Sequence, residues 1–180
     1  MKFERKEHST ALPISTATLL NHLRIGTELT QEALPMVHAA AMEIEAYCDI
    51  ALLTQTIVAE AGKMEAACGL LGLPVGPVSE GAIQSIEIIS DDIVFPYGGE
   101  YTLTPGRYPT LRLSKPWPAH VRVTYTAGYG INDTTIPADL SLAIADQAAQ
   151  LFDRRGADDG KQGLSLAAAR ICARYRKVKL

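Results

Sequence analysis

The chain has 180 residues, 47% of them hydrophobic and 21% charged, a balance that fits a globular protein with a buried core and excludes a disordered one. The net charge of −3 gives no overall attraction to nucleic acid or to an anionic membrane. That total hides an asymmetry. Residues 1–150 hold 9 Lys/Arg against 17 Asp/Glu, a balance of −8, whereas residues 151–180 hold 8 against 3, a balance of +5.

Residues 1–14 show little periodicity and read as a flexible N-terminal arm. Met1 to His8 is too charged for a signal peptide, and no run reaches the roughly 20 apolar residues of a membrane helix, so the expectation is an intracellular, soluble protein. Ser15 or Thr16 can cap a helix to about Arg24, with Leu19, Leu20 and Leu23 as its stripe. Thr30 can cap a longer helix to Asp49, in which Leu34, Val37, Ala41, Ile44 and Cys48 recur at helical spacing. Pro35 conflicts with a helix interior, which moves the expected start toward Leu34.

From Ala51 to Tyr129 the period changes to two, and turn residues become frequent. Strands are expected at 53–59, 63–71, 84–90, 101–104, 110–113 and 121–126, with prolines in or beside the gaps, where a missing donor harms no ladder. Val121, Val123 and Tyr125 point to one face of the last strand and Arg122, Thr124 and Thr126 to the other. Gly128 and Gly130 end it, and Pro137 and Asp139 suit the first turn of a helix. That helix runs to about Arg154 on Leu140, Ile144, Ala148 and Leu151, which we expect to pack on the Leu34, Val37, Ala41 and Ile44 stripe. Residues 156–163 read as a loop, and Ser165 can cap a last helix to Tyr175. The layout is α+β: a helical core from both chain ends, 15–50 and 137–175, within one domain over 15–175, a β insertion at 51–130, and a basic C-terminal tail at 176–180.

Little catalytic chemistry is written here. His8, His22, His38 and His120 lie in four separate elements, with no pairing that would put two ligands on one helix face. Asp91-Asp92 and Asp158-Asp159 sit in turns, where Asp is expected for local reasons. Cys48, Cys68 and Cys172 have no Cys-x-x-Cys spacing, so they read as free buried thiols. Gly69, Gly72 and Gly76 lack the Lys-Ser/Thr of a phosphate loop, and no Gly-x-Ser-x-Gly elbow occurs. The chain therefore reads as no enzyme, with no catalytic, cofactor or metal site. The strong charge feature is the C-terminal cluster Arg170, Arg174, Arg176, Lys177 and Lys179. Cations at a helix C-terminus explain the first two, but the three beyond Tyr175 call for a partner surface, a nucleic acid or solvent.

Four stretches, in order, resemble the head-tail connector (adaptor) proteins of tailed bacteriophages and gene transfer agents. They are Leu20-Asn21-His22-Leu23-Arg24-Ile25, Ile44-Glu45-Ala46-Tyr47-Cys48, Leu52-Leu53-Thr54-Gln55-Thr56, and Val123-Thr124-Tyr125-Thr126-Ala127-Gly128-Tyr129-Gly130 followed by Ile136-Pro137-Ala138-Asp139-Leu140. The resemblance spans about Ser15 to Tyr175. It departs from the family's pattern at Pro35 and in the small, apolar stretch 62–81.

The resemblance implies a structural virion protein at the head-tail junction, assembled in the bacterial host cytoplasm. It implies a homo-oligomeric ring, a dodecamer following the portal's symmetry. Such a ring sits beneath the portal protein, receives the next tail-proximal connector (a stopper or tail terminator protein) on its other side, and passes genomic DNA without reading its sequence. The C-terminal segment, Arg170, Arg174, Tyr175, Arg176, Lys177, Val178 and Lys179, is then the portal-docking element, with Tyr175 and Val178 as apolar anchors. No cofactor and no membrane are implied. The alternative is a DNA-binding module using the basic C-terminal helix, which would show a steep loss of DNA affinity with salt.

Overall fold

A computed structural model of the chain describes residues 1–7, 9–91, 93–116, 118–155 and 163–176. Along it run β1 (Lys2–Glu7), α1 (Thr16–Leu23), α2 (Thr30–Cys48), β2 (Gln55–Ala61), α3 (Lys63–Ala67) and β3 (Leu70–Gly72). They are followed by β4 (Ile83–Ser90), β5 (Ile93–Pro96), β6 (Tyr101–Thr104), β7 (Thr110–Leu113), β8 (His120–Ala127), α4 (Ala138–Asp153) and α5 (Leu166–Cys172). The fold is α+β, and the chain divides into two units: residues 1–8 with 54–128, and residues 9–53 with 129–180.

The second unit is helical. Ser15 caps α1, its hydroxyl accepting the Thr18 N–H at 3.1 Å, and Arg24 ends that helix in the left-handed region. Helix α2 starts at Thr30 and keeps Pro35 inside, contrary to the expected later start. Pro35 is exposed and near the helix start, so it removes one ladder bond and its ring faces solvent. The core joins Val37, Ala40, Ile44 and Cys48 of α2 to Leu140, Ala143, Ile144, Ala148 and Phe152 of α4, with Ala168 and Cys172 of α5. The expected packing of α4 on α2 is present, but the α2 stripe is rotated. Ala33 and Ala40 are buried, while Leu34 and Ala41 are only partly so. At the end of α2 the buried Glu45 carboxylate accepts the Leu52 N–H at 2.7 Å, supplying a partner to a buried donor in the segment that follows the helix.

The first unit holds two antiparallel sheets, ordered β1-β2-β8-β4-β5 and β3-β7-β6. Central β8 alternates as its sequence dictates: Val121, Val123, Tyr125 and Ala127 are buried and the residues between them half-exposed. On its other face Arg122 meets Glu60 of β2 at 2.8 Å and Glu87 of β4 at 3.4 Å, both directly opposite it in register. These carboxylates push the Arg122 guanidinium pKa further above its usual value. The Tyr125 hydroxyl both donates to the Val75 carbonyl and accepts the Val75 N–H, each at 3.1 Å. Burial raises the Tyr125 pKa. Gly128 then leaves β8 at φ 141, a conformation that a side chain would strain.

Three expectations are corrected here. Residues 2–7 are no arm: they form edge strand β1, with Lys2 opposite Glu60 and Arg5 opposite Ile57, which satisfies the otherwise open edge of β2. The expected strand 63–71 is helix α3 followed by the short β3, because the Lys-Met-Glu-Ala-Ala run favours a helix and the Glu65 carboxylate accepts the Gly62 N–H at 2.9 Å to start it. A further strand, β5, pairs with β4 where only a loop was read.

Candidate functional site

The C-terminal basic segment is positioned by buried polar groups of α4. Gln147 is fully buried. Its amide donates to Glu43 of α2 at 2.6 Å, and its carbonyl accepts the Ser165 N–H at 2.7 Å. Ser165 in turn donates its hydroxyl to Asp146 and caps α5 by accepting the Ala168 N–H at 3.0 Å. These bonds fix where α5 begins, and Ala168 and Cys172 then turn inward onto the core. Cys48 donates its thiol to the Cys172 carbonyl at 3.6 Å. A hydrogen bond from the Cys48 side chain holds the Cys172 thiol below its usual range, while burial and the charge of Asp139 oppose that shift.

The opposite face of α5 carries Arg170, beyond which lies Arg174, both exposed; with Ala167 and Ile171 they line an open groove of about 400 Å³. Beyond α5, residues 174–176 fold back on the helical unit. Arg174 contacts the Asp139 carboxylate at 3.1 Å, and the Tyr175 hydroxyl donates to the other oxygen of the same carboxylate at 2.7 Å. The Arg176 guanidinium lies over the Tyr47 ring, 5.3 Å from its centroid. Of the residues expected to dock on a portal, Arg170 and Arg174 line one groove, Arg174 and Tyr175 share the Asp139 carboxylate, and Arg176 lies over Tyr47. Lys177, Val178 and Lys179 lie outside the described residues. Tyr175 is partly buried against the helical core, so much of its apolar surface is already covered. Asp139 and Tyr47, which sequence reasoning did not join to this segment, hold it in place. In the sequence Asp139 is visible only as the acidic residue of a helix start.

A second open groove, about 680 Å³, lies between α1 and α4, lined in part by Thr18, Asn21, His22, Asp133 and Leu142. Among the described residues no cluster of three His, Cys, Asp or Glu side chains could hold a metal ion, and no helix is long and apolar enough to cross a membrane. His22, His38 and His120 are exposed; His8 and Asp92 lie outside the described residues, as do Asp158 and Asp159. Cys68 is exposed, against the expectation that all three thiols are buried, because it follows α3 at the surface.

The chain is α+β, with a helical unit of residues 9–53 and 129–180 interrupted in sequence by a two-sheet unit. Solved chains with that fold come from gene transfer agent (GTA) particles. One, from the neck of an empty GTA particle computed with C6 symmetry, has a TM-score of 0.80 and 21% identity over 100% of this chain and 97% of its own. Another, from the virion of a native GTA particle, gives 0.80 and 20% over the same shares. A third, from the neck of a native GTA particle computed with C12 symmetry, gives 0.75 and 21%, again over 100% and 97%. At these identities the likeness is one of fold. No protein-family model matches the chain, and no curated protein does.

Proposed function

We propose that this protein is a structural subunit of a virion neck: a head-tail connector (adaptor) that forms a ring beneath the portal and lines the DNA channel. The observation that carries the reading is the end-to-end fold likeness to neck chains, at a TM-score of 0.80 with 97% of the neighbour covered. The charge distribution agrees with it. A body at −8 repels the phosphates of DNA that must slide past, because phosphate attraction grows with the cations presented. The segment from Arg170 to Leu180 is the portal-docking element. Arg170, Arg174, Arg176, Lys177 and Lys179 meet acidic portal groups, and Tyr175 and Val178 serve as apolar anchors. The subunits form a dodecamer following the portal, and the far side of the ring receives a stopper or tail terminator.

The test is deletion of residues 174–180. The truncated chain should keep its folded circular dichroism spectrum and lose binding to purified portal. Unchanged portal affinity would reject the docking role. In the same assay the wild-type chain should bind DNA weakly at physiological salt. Tight DNA binding with a steep salt slope would favour the DNA-binding module instead.

A further inference from the structure

We infer that the two flanks of the sheet unit are the two halves of a head-to-tail contact between copies of this chain, the β5/β6 flank of one copy seating on the β1/α3/β3 flank of the next. The edges of the larger sheet are β1 and β5, and those of the smaller sheet are β3 and β6. Each flank combines one edge from each sheet. Tyr97, just after β5, accepts the Lys115 N–H with its hydroxyl at 2.9 Å, and only residues 97–100 separate β5 from β6. On the other flank the Met1 amine bonds the Glu65 carboxylate at 2.8 Å, tying β1 to α3, which leads into β3.

The β5/β6 flank is an unprotected edge. Ile93 is 65% exposed and its neighbour Val94 50%; successive strand residues face opposite ways, so both faces of β5 are open at its start. The Tyr97 N–H points inward, to the Ile86 carbonyl at 2.9 Å. By the alternation of antiparallel pairing, Val94 then turns its N–H and carbonyl outward, with Pro96, which has no N–H, at the next outward position. Tyr101 of β6 adds a further exposed ring. An apolar, open edge of this kind is a template for another chain. Edge β1 is guarded differently, by the charged residues Lys2, Glu4, Arg5 and Lys6.

The occupant is set by complementarity. Residues 91–104 hold three acidic residues and no basic one, whereas residues 1–7 hold three basic against two acidic. The receiving flank also presents apolar side chains, Phe3, Met64 and Leu70, all exposed. The two flanks are unlike, so the contact is heterologous, and such contacts close into rings when the rotation permits. The inference extends the neck reading, which requires a ring, but its test does not depend on a portal.

Cys68 supplies a natural probe on the receiving flank, since Cys48 and Cys172 are buried. Val94→Cys adds one thiol on the other flank at an exposed site, and circular dichroism checks that the fold is kept. The full-length variant is treated with a short bis-maleimide over a range of protein concentrations. The expected result is a ladder of dimer, trimer and higher species that Cys68→Ser abolishes. Dimers alone that persist without Cys68 would mean that the β5 edge meets itself and would overturn the inference. Absence of crosslinks while the chain oligomerises, or absence of any association at the highest concentration, would overturn it too. The neck reading is judged separately, by whether unmodified chain decorates portal.

Discussion

Asp139→Ala should loosen the C-terminal segment without unfolding the protein. In the wild type one carboxylate holds both Arg174 and Tyr175, at 3.1 and 2.7 Å. The Arg174 pair is largely exposed, with side-chain accessibilities of 64% and 33%, and such pairs contribute about 0.2–1 kcal/mol. The Tyr175 bond to a charged acceptor is part-buried and belongs near the lower end of about 1.5–3 kcal/mol. Together they hold the segment by about 2 kcal/mol, which is roughly a 30-fold change in its opening equilibrium. Hydrogen exchange read by mass spectrometry should therefore speed up about 30-fold in a peptide covering 166–176 and stay unchanged in one covering β8. Docking through Arg174 and Tyr175 must first break these bonds, so the variant should also bind portal more tightly, by up to the same factor. Unchanged exchange in 166–176 would refute the reasoning.

Ile144→Ala removes three carbons from a fully buried site in the α2–α4 core, a transfer loss of about 2.4 kcal/mol before any cavity is counted, so destabilisation of about 2–5 kcal/mol is expected in urea titration. An unchanged midpoint would contradict that core. Tyr125→Phe leaves the buried Val75 N–H without its acceptor and should cost about 1–3 kcal/mol at neutral pH. Burial raises the Tyr125 pKa in the folded state, so its stabilisation is complete below the ordinary phenol range and falls as pH rises from there toward the folded value. Wild-type urea midpoints should accordingly decline above about pH 10, and the Phe variant should lose that part of the decline; identical slopes would contradict the assignment.

Strand β8 was legible because one face is buried and the other half-exposed, so Val121, Val123, Tyr125 and Ala127 carry the whole period-two signal. Val37, Ile44 and Cys48 of the expected α2 stripe are buried, but Leu34 and Ala41 give way to Ala33 and Ala40, because Leu34 outweighs Ala33 in hydrophobicity and periodicity alone cannot choose between two adjacent alanines. Strand β1 was illegible for a physical reason: an edge strand written Lys-Phe-Glu-Arg-Lys-Glu carries one apolar residue, and its pairing with β2 is invisible to periodicity. The basic segment was visible as charge, but its anchorage was not. Asp139 and Arg174 stand 35 residues apart and Tyr47 and Arg176 still further, so only tertiary structure could bring them together.

Electron microscopy of purified portal mixed with the full-length protein tests whether this chain forms the proposed ring on a portal. The expected result is a decorated portal, with a ring of this chain following the portal's symmetry and its C-terminal segment on the portal side. A portal that remains bare in the presence of excess folded protein would contradict it.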